Sequence, residues 1–135
     1  MDENIKELML QLNWNNTEEI QELAIKSLAQ LDDLDLTILL QPALPYGKDY
    51  WENSAKVLFI IGYPKIKNII PGLFEWLQDM NWPGALIVKE LLLHLPIDVL
   101  KYNYECTVNY AISTNDEEWL LNLTLFWNDV TNKVV

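Results

Sequence analysis

The stretch LFEWLQDMNWPGALIVKELL, residues 73–92, decides the fold of this chain because it joins two apparent helices. Apolar residues recur at helical spacing in its first half: Leu73, Trp76, Leu77 and Met80. This spacing predicts an amphipathic helix over residues 71–80 with the Trp76 indole in the core. Asn81 is a suitable cap for the second helix, and Pro83 is tolerated in a first helical turn. The stretch therefore predicts a helix, a short joint and a second helix.

The same helical periodicity recurs on both sides of this stretch, and no segment alternates convincingly with period two. Cap-like residues precede several of the apolar stripes, among them Asn16 and Asn115. Four tryptophans, each near the start of an apparent helix pair, lie 37, 31 and 37 residues apart: Trp14, Trp51, Trp82 and Trp119. We therefore expect an all-α protein, arranged as an α-α superhelix of degenerate helix pairs, with an irregular helical bundle as the alternative.

Length and charge narrow the choice of partners. A chain of 135 residues, half of them hydrophobic, is expected to form one domain over residues 1–135 with a core of its own. It carries 20 acidic residues against nine lysines and no arginine, for a net charge of −11. Such a chain repels the phosphates of nucleic acid and of anionic membranes. Neither is expected as a partner, whereas a basic protein is, because opposite charges speed encounter.

The cellular location is expected to be the cytoplasm. The N-terminus is acidic where a secretory signal is basic, and no apolar segment follows it. The longest apolar run, residues 57–61, is far too short to cross a bilayer. The single cysteine, Cys106, excludes a disulfide framework, and its position within a helix favours a buried and inert thiol.

The stretch GYPKIKNIIPGLFEWLQDMNWPGA, followed by NDEEWLLNL, resembles a bacterial family of unknown function with HEAT-like helical repeats. The signature of that family is the run from Glu75 to Pro83, and the resemblance covers about residues 48–128. Residues 1–47 are then an extra repeat or a cap. The resemblance implies a fold but no activity. Short acidic helical-repeat proteins are sometimes encoded beside bacterial toxins, which adds an immunity role to the hypotheses.

No pattern of catalytic, metal-binding or cofactor-binding residues emerges from the sequence. The lone histidine, His94, has no second ligand or base beside it, so packing or helix capping is the simpler role. A phosphate-cradling glycine loop, a nucleophile elbow and a zinc-protease motif are all absent. We therefore expect a protein that is not an enzyme and that requires no cofactor.

Six residues are candidates for contact with a partner. Glu75 and Asp79 are four residues apart on the predicted solvent face of the helix over residues 71–80, and Trp82 lies in the joint that follows it. An acidic run opens the last helix: Asp116, Glu117 and Glu118. Each of these residues also has a structural interpretation, as a solvated helix face or as part of a helix entry.

Two functions remain open at this point. The first is a non-catalytic helical-repeat domain that binds a protein, in its sharper form an immunity protein that neutralises a basic toxin. The second is a small-ligand-binding protein or enzyme with a pocket of tyrosine and tryptophan side chains. Three tyrosines lie close enough in sequence to form such walls: Tyr102, Tyr104 and Tyr110. The oligomeric state is not indicated by the sequence.

Overall fold

A computed structural model describes residues 3–43 and 45–134, and this part of the chain contains helices and turns but no strand. Its α-helices are α1 (Glu3–Gln11), α2 (Glu18–Ala29), α3 (Lys48–Ile61), α4 (Ile70–Glu75), α5 (Ala85–Leu93), α6 (Ile97–Ser113) and α7 (Glu117–Val134). Three short 3-10 helices, Leu36–Leu39, Lys67–Ile69 and Trp76–Gln78, complete the regular structure. The predicted all-α class is confirmed. None of the described helices is both long and apolar enough to cross a membrane.

The central helix is α3, which packs against α2 on one side and α5 on the other. Gly84, just before α5, lies against the backbone of Trp51 near the start of α3. His94, just after α5, lies beside Phe59 near the end of α3, with ring centroids 5.9 Å apart. Helices α3 and α5 are therefore parallel neighbours. Parallel neighbours are compatible with stacked helix pairs, and the superhelix remains a prediction.

The joint between α4 and α5 differs from the predicted one. Helix α4 ends at Glu75 and tightens into a 3-10 turn, and Asp79 is extended, so the continuous helix over residues 71–80 was wrong. Asn81 does not cap α5, because Gly84 holds the N-cap position; the Asn81 backbone N–H instead donates to the Asp79 carboxylate at 2.9 Å in a local turn. Helix α5 begins only at Ala85, after Gly84 in a left-handed conformation with φ 87°.

Trp76 explains why the chain turns where it does. Its side chain is fully buried, as predicted, and its indole Nε1 donates to the Pro83 carbonyl at 2.9 Å. An acceptor stabilises a buried indole N–H, and a chain that folds back within seven residues brings the Pro83 carbonyl to it. The Trp51 and Trp76 rings also meet edge to face, with centroids 6.4 Å apart. The Trp76 side of the joint is thus part of the core, whereas Asn81 is exposed on its outer side.

Two helix starts lie one residue later than the sequence indicated. Thr17 rather than Asn16 caps α2, because its hydroxyl accepts from the backbone N–H of Ile20. Asp116 rather than Asn115 caps α7, because its carboxylate accepts from the backbone N–H of Trp119 at 3.0 Å. Asn115 instead adopts a left-handed conformation with φ 57°, which reverses the chain after α6. In each case the cap is the residue whose side-chain oxygen reaches the first free amides.

Helices α1 and α2 share the apolar core with α3 and are also held to it by polar contacts. The buried amide of Asn53 donates to the Leu12 carbonyl at 2.6 Å and to the Gln21 side chain at 2.9 Å. Asn13 donates to the Asp49 carboxylate at 2.7 Å. Buried polar groups of this kind demand specific partners, so they fix the position of α1 and α2 on α3.

Candidate functional site

An apolar groove runs along the outer surface between the parallel helices α3 and α5, and we call it the α3–α5 groove. Its centre is a depression of about 520 Å³ with almost no polar surface. The residues that line the centre are Ile25, Lys56, Phe59, Ile60, Leu86, Ile87 and Glu90. Leu86 is 70% exposed and Ile60 56% exposed, which is unusual for large aliphatic side chains that lie next to each other.

The groove continues beyond this centre in both directions. Toward the start of α3, Glu52 and Trp82 line a depression that shares Leu86 and Ile87 with the centre. Toward the end of α3, Tyr63 and His94 line another that shares Phe59. Helix α3 has 14 residues, which corresponds to roughly 21 Å at 1.5 Å per residue. The groove is therefore about as long as four turns of a helix.

One feature of the sequence indicates this groove, although helical periodicity alone does not reveal it. The apolar run at residues 57–61 is longer than one face of a helix can bury. In the structure Val57 and Leu58 are buried, whereas Phe59 and Ile60 are exposed. Helix α5 repeats the pattern, with exposed Leu86 beside buried Ala85. Residue Ile25 of α2 completes the wall from outside the 48–128 region.

A second concave site lies where α4, α6 and α7 meet, and we call it the Glu75 cavity. Its volume is about 200 Å³, and its lining residues are Pro71, Glu75, Asn103, Cys106, Thr107, Tyr110 and Trp119. The rings of Tyr110 and Trp119 meet edge to face at 6.1 Å. Trp119 is held in place because its indole Nε1 donates to the Phe74 carbonyl at 3.1 Å.

Glu75 is the charged group of this cavity, and it is half-buried rather than fully solvated as the sequence suggested. Burial raises the pKa of its carboxyl above the ordinary value, because removal from water disfavours the charged form. Among the described residues, no lysine or histidine lies within ion-pair distance of this carboxylate, and no group donates a hydrogen bond to it. The Glu75 cavity therefore holds a carboxylate without a counter-ion.

The expectation of a buried Cys106 was wrong. Cys106 is exposed at the mouth of the Glu75 cavity. The buried stripe of α6 passes through Leu100, Thr107 and Ala111, and one residue along a helix is a rotation of about 100°. Cys106 therefore lies on the flank of the helix rather than on its core face.

The three tyrosines proposed as pocket walls do not come together in the structure. Tyr102 is exposed. Tyr104 stacks on the Trp127 ring with centroids 4.5 Å apart, and burial raises the pKa of its phenol. Only Tyr110 lines the Glu75 cavity. The expected pocket with several tyrosine hydroxyls is not observed, and the Glu75 cavity has one tyrosine and one tryptophan in its lining.

The six predicted contact residues are distributed over three places. Glu75 lies in the cavity, next to the first turn of α7, where Glu117 and Glu118 are exposed. Trp82 lies at one end of the α3–α5 groove with its ring against Trp51 at 5.6 Å. Two of the acids have structural contacts instead: Asp79 in the turn before Asn81, and Asp116 as the cap of α7.

His94 lies at the C-cap of α5 with its ring against Phe59, in agreement with the packing or capping role that the sequence indicated. Its Nδ1 is 2.7 Å from the Glu90 carbonyl at the end of α5. In the described residues, no group of three or more histidine, cysteine, aspartate or glutamate side chains is arranged to hold a metal ion.

Comparison with protein families adds one finding. A family model described as "Domain of unknown function (DUF5071)" matches residues 45–134. No curated protein and no solved structure matches the chain. The matched region contains α3 to α7, and so both long walls of the α3–α5 groove and the whole Glu75 cavity. Helices α1 and α2, which supply Ile25 to the groove, lie outside it.

Proposed function

The chain belongs to the DUF5071 family of unknown function, and we propose that it is a non-catalytic domain that binds another protein. The observation that carries this proposal is the α3–α5 groove, in which Phe59, Ile60 and Leu86 are exposed side by side. Contiguous apolar surface on a folded domain marks interaction sites, because its exposure to water is unfavourable. A partner that covers the groove removes that surface from water.

The shape of the groove favours a helical segment as the element that binds. It is open and about four helical turns long, and the floor of its centre has almost no polar atoms to orient a small ligand. An amphipathic helix fits such a surface with apolar anchors at positions i, i+3 or i+4, and i+7. The anchors would contact the centre of the groove, and the polar face of the helix would remain in solvent.

Charge favours a basic partner. The chain has a net charge of −11. Two glutamates, Glu52 and Glu90, and one lysine, Lys56, are among the residues that line the groove. Opposite charge on the partner accelerates encounter and selects against acidic competitors. An immunity protein that neutralises a basic toxin is the finer form of this proposal. The acidic surface supports it, as does the resemblance to helical-repeat families, and the cytoplasm would be its location.

The proposal is testable with a defined probe, a fluorescein-labelled amphipathic peptide of leucine and lysine about four turns long. Leu86→Asp places a charge in the groove, whereas Leu121→Asp places the same charge on the exposed face of α7. Leu86→Asp should weaken binding by about tenfold or more, and Leu121→Asp should leave it within about twofold, measured by fluorescence anisotropy.

A scrambled peptide of the same composition, with its leucines spread around the helix, controls for charge alone. It should bind the wild-type chain more weakly than the amphipathic peptide does. The proposal fails if the two peptides bind equally, or if both aspartate variants bind the amphipathic peptide as the wild type does.

A second candidate function, small-ligand binding, is favoured by a different observation. The Glu75 cavity combines a half-buried carboxylate with two aromatic rings, which is a polar and aromatic lining of the kind that small-molecule sites use. This candidate concerns a different surface from the groove, so the two functions are independent of each other.

A further inference from the structure

The lining of the Glu75 cavity selects for positive charge. Glu75 is the one carboxylate in its lining, which contains no lysine or histidine, and the other polar side chains are those of Asn103, Cys106, Thr107 and Tyr110. An anion would meet the Glu75 carboxylate, so anions are excluded by repulsion. A divalent metal ion would need several oxygen ligands, and no cluster of three candidate ligands occurs in the described residues.

Size and aromatic character narrow the class of cation. The volume of about 200 Å³ is far above the roughly 10–15 Å³ that a single ordered water requires. Such a space accommodates a short alkyl chain with a terminal ammonium. The rings of Tyr110 and Trp119 supply surface for the alkyl part, and the exposed Tyr110 ring also attracts a cation through its π electrons.

We propose that the Glu75 cavity binds an alkylammonium group, with the Glu75 carboxylate as its counter-ion and the Tyr110 and Trp119 rings as walls for its alkyl chain. The ammonium supplies the partner that Glu75 lacks within the described chain. The raised pKa of this carboxyl agrees with an acid whose environment provides burial without a compensating charge. The alkylammonium comes from a lysine side chain of a protein or from a free amine.

Cys106 offers a native reporter of occupancy, because it lines the cavity, is exposed and is the one cysteine of the sequence. The rate at which N-ethylmaleimide alkylates its thiol would be measured during titration with 1-pentylamine or with Nα-acetyl-lysine methylamide, at constant pH and ionic strength. An alkyl chain in the cavity covers the thiol, so each bound amine should slow alkylation saturably, by at least about fivefold. The neutral isostere 1-pentanol should not.

Two matched variants assign the effect to the cavity. Glu75→Gln removes the counter-ion with almost no change in shape and should abolish protection of Cys106. Glu118→Gln makes the same change of charge on the exposed first turn of α7 and should preserve protection. Circular dichroism verifies the fold, and Tyr110→Ala, at an exposed position, replaces Glu75→Gln if that variant does not fold.

The two probes distinguish the source of the ammonium. Tighter binding of the lysine derivative supports a protein side chain as the natural occupant, and tighter binding of pentylamine supports a free amine. The proposal is overturned if neither amine protects Cys106, or if protection persists in folded Glu75→Gln. A shift of the Trp119 indole N–H resonance on titration gives an independent readout, and its absence also contradicts the proposal.

Discussion

The Trp76 side of the α4–α5 joint and the α3–α5 groove are adjacent, yet the first is buried and the second is open. Trp76 in the joint is fully buried and hydrogen-bonded, whereas Leu86, only two residues after Gly84, is mostly exposed. Both regions are rich in apolar residues. The difference shows that composition does not decide burial here. Backbone geometry does, because the joint folds back on itself while α3 and α5 lie side by side.

Gly84 connects the two regions physically. A Cβ atom at this position would lie 2.9 Å from both the Trp51 carbonyl oxygen and the Ala55 Cβ. The absence of a side chain lets the start of α5 approach α3 closely, and the positive φ turns the chain out of the joint. The same close contact leaves the outward residues of both helices on one surface, which forms the groove.

The largest expected effect is a loss of stability when Trp76, on the buried side of the joint, is truncated. Trp76→Ala should lower the free energy of unfolding by ~3–5 kcal/mol, the range for truncation of a large buried aromatic residue. Chemical denaturation monitored by circular dichroism measures it. Trp14→Ala is the matched control, because Trp14 is 49% exposed, and should be clearly less destabilising. Equal losses for both variants would contradict the burial of Trp76 in the core.

The next largest effect is a loss of stability at Gly84, which connects the joint to the groove. Gly84→Ala should destabilise the fold by about 1–3 kcal/mol, because it adds strain at positive φ and a clash with the α3 backbone. Gly47→Ala is the control, since a Cβ there meets its nearest neighbour at an ordinary 3.5 Å and φ is −105°. Gly84→Ala should also weaken binding of the amphipathic peptide, because it pushes α5 away from α3. A Gly84→Ala protein as stable as Gly47→Ala would contradict the close contact.

A smaller difference in stability is expected between two acidic residues at the start of α7, one that caps the helix and one that is exposed. Asp116→Ala removes an N-cap hydrogen bond and should cost about 0.5–2 kcal/mol of stability. Glu117→Ala should change stability by less than about 0.5 kcal/mol, since its side chain is exposed. Thermal unfolding of both variants distinguishes them, and the reverse order would be inconsistent with the cap. Charge reversal aimed at partner encounter therefore belongs at Glu117 and Glu118.

The smallest effect is a pH dependence at Glu75. Burial raises the pKa of its folded-state carboxyl, so the folded chain holds this proton more tightly than the unfolded chain. Its contribution to stability is present below the unfolded pKa and is lost as pH rises through the folded pKa. Glu75→Gln, which lacks this titration, should therefore gain stability relative to wild type between about pH 3 and pH 7. Denaturation at both pH values, with Glu118→Gln as the charge control, tests this, and an unchanged difference would argue against burial of the carboxyl.

Much of the core could be predicted from sequence, because helical spacing alone places Trp76 and Leu73 inside. The joint could not be predicted, because two hydrogen bonds determine its shape. The Asn81 backbone N–H donates to the Asp79 carboxylate, and the Trp76 indole donates to the Pro83 carbonyl. Those contacts form only once the chain has folded. Periodicity assigns residues to helix faces and does not show which faces find a neighbour.

The candidate sites were predicted less well for the same reason. Glu75 was singled out by its spacing from Asp79, yet the two are not on one helix, and the neighbours of Glu75 are side chains of α6 and α7. Leu86 resembles any core leucine in sequence, and its exposure depends on the absence of a further helix over α3 and α5 in the described chain. Both features arise from tertiary packing.

The open character of the α3–α5 groove is tested most directly by NMR of a chain with labelled isoleucine and leucine methyl groups, titrated with the amphipathic leucine–lysine peptide. Saturable shifts are expected for methyl groups of Ile60, Leu86 and Ile87, which lie in the groove. The exposed Leu121 and Leu125 of α7 should be unaffected. Shifts confined to Leu121 and Leu125, or equal on the two surfaces, would contradict a specific docking groove between α3 and α5.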